Sequence, residues 1–277
     1  TASQKSGKRF QSTRALTEVI VIGGDAIDAD TLLASVEKFQ FGRYDTAWVP
    51  LPSLNVPRSL AASVVIDEKI FVVGGHTNTI ETLDVSQRPL EWMISEAVLP
   101  FCLFGHSCVA YNGKLIVIGG YNCSTGNHSK EIHEVHLAKP YSRNLLCTLP
   151  KPICHHGTEI INDKIYIFGG KGKEKTPCDD ILVFDPVTNE CKKISKLLYP
   201  LRYMLTVQWE NKVILLGGEK GDGNALKEVI MFDPEWNECS ELPPMNHARK
   251  GAAGVIAGDV IVVAGGRENN KPVNSVE

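Results

Sequence analysis

The chain has 277 residues, 43% of them hydrophobic and 22% charged, with a formal net charge of −3. That balance supplies a sizeable core and excludes a disordered chain. It gives no electrostatic ground for a polyanionic partner, so neither nucleic acid nor an acidic membrane surface is expected, and no apolar run approaches the roughly 18 residues of a membrane span.

The first segment, TASQKSGKRFQSTR, is polar and basic and lacks the apolar centre of a signal peptide. Residues 1–17 are expected to form a linker, and the expected setting is cytoplasmic. From Val19 onward the chain repeats itself. Glycine doublets begin at Gly23, Gly74, Gly119, Gly169, Gly217 and Gly265, in steps of 51, 45, 50, 48 and 48 residues. The segments FDPVTNEC (184–191) and FDPEWNEC (232–239) match at six of eight positions one period apart.

One repeat reads as four short strands: AASVVID (61–67), the buried run KIFVVGG (69–75), the alternating TIETLDV (79–85), and LEWMISEAV (90–98). Two-residue turns at Asp67, Asn112, Asn162, Glu210 and Gly258 separate first from second strands. The DP pairs at Asp185 and Asp233 turn third strands into fourth ones. No stretch sustains a helical period, so the chain is all-β. A four-stranded sheet this small cannot bury both faces alone, and near-50-residue repeats therefore stack around an axis as blades of a β-propeller.

GHSCVAYNGKLIVIGG (105–120) and KEVIMFDPEWNECSELPPMNHARKGAAGVIAGDVIVVAGG (227–266) carry a resemblance to the Kelch repeat. The chain is most similar to the Kelch propeller of proteins in which BTB and BACK domains precede it. The resemblance implies a six-bladed propeller over 18–277, with the first blade lacking its opening strand and the sixth breaking off in its third strand at Glu277. Six periods would run about 30 residues further. Family members carry a fourth-strand tryptophan; Trp48 fills that place, while Cys191 and Cys239 stand there in later repeats, so neighbouring side chains are expected to restore the lost contact.

No linear catalytic signature is present: no nucleophile elbow, Walker loop, HExxH or paired Cys/His zinc spacing. Neither catalysis, cofactor nor metal is expected. In CHHG (154–157), His155 and His156 are adjacent and point to opposite faces of a strand, which argues against one shared ion; a strand-start histidine recurs at His106. The cysteines (Cys102, Cys108, Cys123, Cys147, Cys154, Cys178, Cys191, Cys239) show no CxxC pair and read as reduced. Cys154 and Cys178 lie near Lys or His, yet inert buried thiols are the better reading. The sequons at Asn122 and Asn127 are attributed to chance.

Function is then expected on the loops that join fourth to first and second to third strands, which emerge at one end of a propeller. Arg58, Arg202 and Arg249 recur at the start of a blade and are expected to surround the channel mouth, gripping partner carboxylates or tying blades together. Phe104, Tyr121 and Tyr203 add aromatic anchors. With Asn78, His155, Lys171 and Arg267 they form the expected partner-binding set, and replacing the three arginines is expected to weaken binding with little change in folding. The resemblance implies substrate recognition for a cullin-RING ubiquitin ligase, reached through BTB and BACK domains. The alternatives are an actin-binding Kelch protein and, further off, a propeller oxidase or sugar epimerase.

Overall fold

The computed structural model describes residues 18–25, 31–40, 48–173, 176–269 and 271–277; the expected linker at 1–17 lies outside them. All regular structure among the described residues is β-strand, and no helix is long and apolar enough to cross a membrane. The two-residue turns form as expected. Ile66 pairs with Lys69, Tyr111 with Lys114, Ile161 with Lys164 and Trp209 with Lys212. Asp67, Asn112, Asn162 and Glu210 take the positive φ that such hairpins require.

The strands assemble into antiparallel blades. The first holds Glu18–Asp25, Leu32–Gln40 and Val49–Leu51. The second runs Ala62–Ile66, Lys69–Val73, Thr77–Asp84 and Trp92–Phe104. The third comprises Ser107–Tyr111, Lys114–Ile118, Glu131–Val135 and Arg143–Thr148. Gly157–Ile161, Lys164–Phe168, Asp180–Asp185 and Glu190–Lys196 make the fourth, and Leu205–Trp209, Lys212–Leu216, Val229–Asp233 and Glu238–Leu242 the fifth. A sixth opens with Ala253–Ala257 and Val260–Ala264, and Val263 exchanges backbone hydrogen bonds with Glu277 at 2.7 and 3.0 Å. This is the expected all-β six-bladed arrangement with incomplete first and last blades.

One boundary differs. The fourth strand of the second blade was expected to end at residue 98, but it runs on to Phe104, because the short strand Tyr121–Asn122 from the next blade pairs with Phe104 and Leu103. A segment expected to be loop thereby becomes a sheet edge.

The core is a set of seams between blades rather than one centre. Ile116, Ile118, Leu149, Ile153, Ile167 and Phe184 belong to the seam between third and fourth blades. Phe168, Leu201, Met204, Leu215 and Phe232 belong to the next. Val19, Ala257 and Val262 join the sixth blade to the first and close the ring. Each such side chain contributes about 1.5–3 kcal/mol when fully buried. Cys191 and Cys239 pack at the edges of these clusters, and Phe232 meets Phe168 edge-on at 5.4 Å, so neighbouring rings supply apolar contact where tryptophan is missing. Trp92, 3% exposed, is the buried fourth-strand tryptophan of the second blade and donates its Nε1–H to Pro52 O at 3.0 Å.

The doublets sit where one blade receives the next. In the first five doublets the second glycine donates its N–H, always at 2.8 Å, to a carbonyl of the segment entering the following blade: Gly24 to Arg58, Gly75 to Leu103, Gly120 to Ile153, Gly170 to Leu201, Gly218 to Arg249. A Cβ on Gly169 would lie 2.3 Å from Leu201 O, at φ +58°. The motif is therefore a notch for the neighbouring blade.

Candidate functional site: an aromatic rim at the channel mouth

Fourteen residues before each of the last five doublets the chain takes a left-handed conformation, at Leu60, Gly105, His155, Tyr203 and Gly251, with φ between 50° and 63°. These residues are joined in a collar. Gly105 donates its backbone N–H to Leu60 O at 2.9 Å, His155 to Gly105 O at 2.7 Å, Tyr203 to His155 O at 3.0 Å and Gly251 to Tyr203 O at 2.9 Å. The collar crosses from blade to blade around a channel of about 500 Å³.

The side chains at the collar and the neighbouring turns form a connected set of rings. His155 stacks on Tyr203 with centroids 4.1 Å apart, and Phe104 lies 6.1 Å from His155. Phe104 also contacts Tyr121 at 4.9 Å and stacks on His76 at 4.3 Å, and His128 meets Tyr121 edge-on at 5.3 Å. The Arg202 guanidinium sits 5.4 Å from the Tyr203 centroid. Phe104, Tyr121, His155, Arg202 and Tyr203 are thus brought together as expected partners on one rim. Lys171 joins them through an isolated backbone bridge to Cys154; burial first, and then the Lys171 charge, lower the basicity of His128 and His155. Asn78 is exposed near the start of the strand Thr77–Asp84, where the register shifts between Thr77 and Thr79. Arg267 lines the channel and pairs with Lys250 through the backbone. His76 and His128 were missed, because their loops vary in length and fall outside the repeat register.

Arg58 and Arg249 require a correction. Each is 1% exposed. All five N–H groups of the Arg58 guanidinium are used, by Glu81 Oε1 at 3.0 and 3.2 Å, Gly74 O at 2.6 Å, Thr79 O at 3.0 Å and Thr79 Oγ1 at 2.7 Å. Arg249 repeats the pattern on Glu277, Gly265 O and Ser275. The backbone of each holds the preceding blade, at Leu33 and Gly24 for Arg58 and at Leu226 and Gly218 for Arg249. These two arginines are buried blade ties, Arg58 with no donor left for a carboxylate on a partner and Arg249 with four hydrogen bonds spent inside the fold, and their loss is expected to harm folding. Arg202 differs. It sits one position later in the register and is 16% exposed, with Glu219 held between its guanidinium and Lys250 Nζ. Burial would raise the Glu219 carboxyl, and the hydrogen bonds from Lys250 and Arg202 outweigh that, leaving it below the usual range. Two cations on one carboxylate leave this side of the rim net positive.

His155 and His156 diverge as expected, although both precede the strand that starts at Gly157 and His155 has a left-handed backbone rather than an extended one. His155 faces Tyr203, while His156 Nε2 lies 2.8 Å from Ser107 Oγ in the channel wall. Burial lowers His106 to about 4, His155 to about 3 and His156 to about 3, so at neutral pH these rings act as uncharged stacking and hydrogen-bonding groups. Burial pushes the Cys154 thiol up to about 12 and raises that of Cys178, which makes both poor nucleophiles. Asn122 is buried, with its Oδ1 accepting the Ser124 and Thr125 N–H groups at 2.9 and 3.2 Å. Among the described residues no group of three or more His, Cys, Asp or Glu could hold a metal.

The buried histidines predict acid sensitivity. An unfolded histidine takes its proton near 6.5, whereas these three in the folded chain wait until about 3–4. The unfolded state therefore binds more protons below pH 6.5, and stability falls on acidification by up to about 1.4 kcal/mol per pH unit per histidine. Glu159, raised by burial to about 7, opposes this, since it loses stability as pH rises from 4.5 to 7. Three groups outweigh one. The urea midpoint is expected to be lower at pH 5 than at pH 7, and a midpoint unchanged or higher at pH 5 would refute this account.

A ring of antiparallel blades around a channel, with an aromatic rim at its mouth, defines the class: a β-propeller. A profile of the KLHDC2/KLHL20/DRC7 Kelch-repeats domain matches residues 105–276, and the Kelch motif matches residues 57–90. The chain belongs to the Kelch-repeat family. It is 26% identical to Kelch-like protein 15 of Danio rerio over 195 residues, 61% of this chain and 32% of that protein. It is 31% identical to Kelch-like protein 41 of Rattus norvegicus over 109 residues, 37% of this chain and 18% of that protein. The chain spans about a third of the length of the first of these relatives, and less of the second. A solved structure described as "Structure of YjhT" superposes with a TM-score of 0.71 at 19% identity, covering 78% of this chain and 75% of that one; that likeness concerns the fold alone.

Proposed function

We propose that this propeller is the partner-recognising module of a cullin-RING ubiquitin ligase adaptor, and that it binds a protein segment at the rim rather than catalysing a reaction. The Kelch-like relatives support a protein-interaction propeller, and the ligase role follows from its resemblance to proteins in which BTB and BACK domains accompany the Kelch repeats. A cytoplasmic setting is part of the same proposal.

The observation that carries the reading is the linked ring set Phe104–His155–Tyr203 with Arg202 alongside. Aromatic and arginine side chains held rigidly by their neighbours are the groups that dominate protein interfaces. Here the left-handed backbone and the collar fix their directions before a partner arrives. The test compares the natural full-length protein with its Tyr203→Ala and Phe104→Ala variants in affinity capture. Each truncation is expected to cost about 2 kcal/mol or more, roughly 30-fold in affinity, while a cullin is retained. Partners held equally by both variants would overturn the assignment of the rim. A full-length protein that captures actin filaments and no cullin would favour the cytoskeletal reading.

A further inference from the structure

The register that stacks Phe104 on Tyr121 also sets two thiols against each other. Tyr121 pairs with Phe104 and Asn122 with Leu103, which places Cys123 directly opposite Cys102, and Cys123 donates its backbone N–H to Cys102 O at 2.9 Å. Residues two apart on a strand share a face, so the two thiols lie on the same side as the 4.9 Å Phe104–Tyr121 contact. The thiols also share a hydrogen bond. Both cysteines are free; Cys123 is exposed and Cys102 half-buried.

Directly opposite residues of an antiparallel pair have Cα atoms about 4.5–5.5 Å apart, inside the roughly 4.4–6.8 Å range of disulfides. The turn carrying Cys123 is held in place: Asn122 Oδ1 accepts the N–H groups of Ser124 and Thr125, and Gly126 donates to Asn122 O at 2.9 Å. The other cysteines in paired strands face isoleucine, valine or phenylalanine across the ladder.

We propose that Cys102 and Cys123 form a reversible cross-strand disulfide in exchange with low-molecular-weight disulfides such as oxidised glutathione, a modification site beside the aromatic rim. The Cys123 thiolate attacks one sulfur of glutathione disulfide, forming a mixed disulfide and expelling one glutathione thiolate, which takes up the proton. Cys102, deprotonated by solvent, then attacks the Cys123 sulfur and expels the second glutathione. Two protein thiols are oxidised to one disulfide, and one glutathione disulfide is reduced to two thiols. Partial burial, reinforced by Cys102, pushes the Cys123 thiol up to about 12, so the first step is slow at neutral pH and speeds up about tenfold per pH unit as the thiolate fraction grows.

The bond is read on the protein alone, so this proposal does not depend on the partner. The chain is incubated with oxidised glutathione at pH 7 and pH 8, its remaining thiols are blocked with N-ethylmaleimide, and the digest is mapped by mass spectrometry. The expected result is a Cys102–Cys123 linked peptide that forms about tenfold faster at pH 8 and disappears with dithiothreitol, while Cys154 stays alkylatable after denaturation. Cys102→Ser is expected to leave glutathione trapped on Cys123. Full alkylation of Cys102 and Cys123, glutathione on wild-type Cys123 without the link, or equal yield of the link from urea-unfolded chain would each overturn the proposal.

Discussion

Arg58→Ala is expected to destabilise the chain by about 3–5 kcal/mol, the cost typical of breaking a buried ion pair from one side. Removing the guanidinium leaves the Glu81 carboxylate, itself 0% exposed, without its counter-charge, takes the 2.6 Å donor from Gly74 O, and leaves Thr79 O with the Gly74 N–H at 3.2 Å in place of two donors. The other blades show what a neutral solution looks like. At the position of Arg58 they carry Leu103, Ile153, Leu201 and Arg249, as the shared doublet carbonyl contact shows. At the position of Glu81, opposite the penultimate residue of the second strand, they carry His133, Leu182, Ile230 and Glu277. Arg249 faces Glu277 as Arg58 faces Glu81, the fourth and fifth blades pair Ile153 with Leu182 and Leu201 with Ile230, and the third sets Leu103 against His133. Arg58→Leu combined with Glu81→Ile is therefore expected to recover roughly half of the loss. Recovery stays incomplete because the backbone N–H groups of Asn55 and Val56 still lose the carboxylate that accepts them at 2.7 and 3.0 Å. Urea unfolding of the two single variants and the double one measures the coupling. Additive losses would show that the pair does not act as a unit.

Gly169→Ala is the second large effect. The new methyl would meet Leu201 O at 2.3 Å and Met204 Cε at 2.9 Å, on a backbone at φ +58°. Relieving the clash pushes Leu201 away and weakens the 2.8 Å bond from Gly170, opening the seam that holds Phe168 and Phe232. Strain and lost packing together are expected to cost about 3 kcal/mol or more. Gly113→Ala is the matched control. Its φ is +72° but nothing lies within 4 Å of the added carbon, so conformational strain alone remains, about 1 kcal/mol. Equal losses in the two variants would mean that the notch plays no part in joining the blades.

The doublet period was enough to read the blades and their turns, because each feature is local and recurs from blade to blade in the sequence. The same strength misled the reading of Arg58 and Arg249. One residue type recurring at one register looked like a shared binding role, whereas it marks a shared structural role whose partners, Glu81 in TIE and Glu277 in SVE, recur alongside it. Burial is a property of the pair, and only the third strand beside the loop reveals it. Phe104, Tyr121, His155 and Tyr203 were legible as loop aromatics. Their contacts were not, since stacking of His155 on Tyr203 depends on a left-handed backbone position filled by Leu, Gly, His, Tyr and Gly in turn, with no residue type to flag it. The Cys102–Cys123 juxtaposition was hidden for a related reason: it needs the fourth strand of one blade to continue past its expected end.

The collar around the channel separates two duties that most packed residues must share. Its closure is written in main-chain amides, which every one of these residue types supplies alike, so what each position displays toward the opening is released from holding the ring together. Gly251, whose missing side chain would meet nothing within 4 Å, is a blank in that display, while at Gly105 the neighbouring His155 ring occupies the space, since an added Cβ would lie 2.4 Å from it. A propeller organised this way can vary what it displays one letter at a time without touching the collar's hydrogen bonds, at the cost of the strain that a left-handed backbone imposes on any side chain.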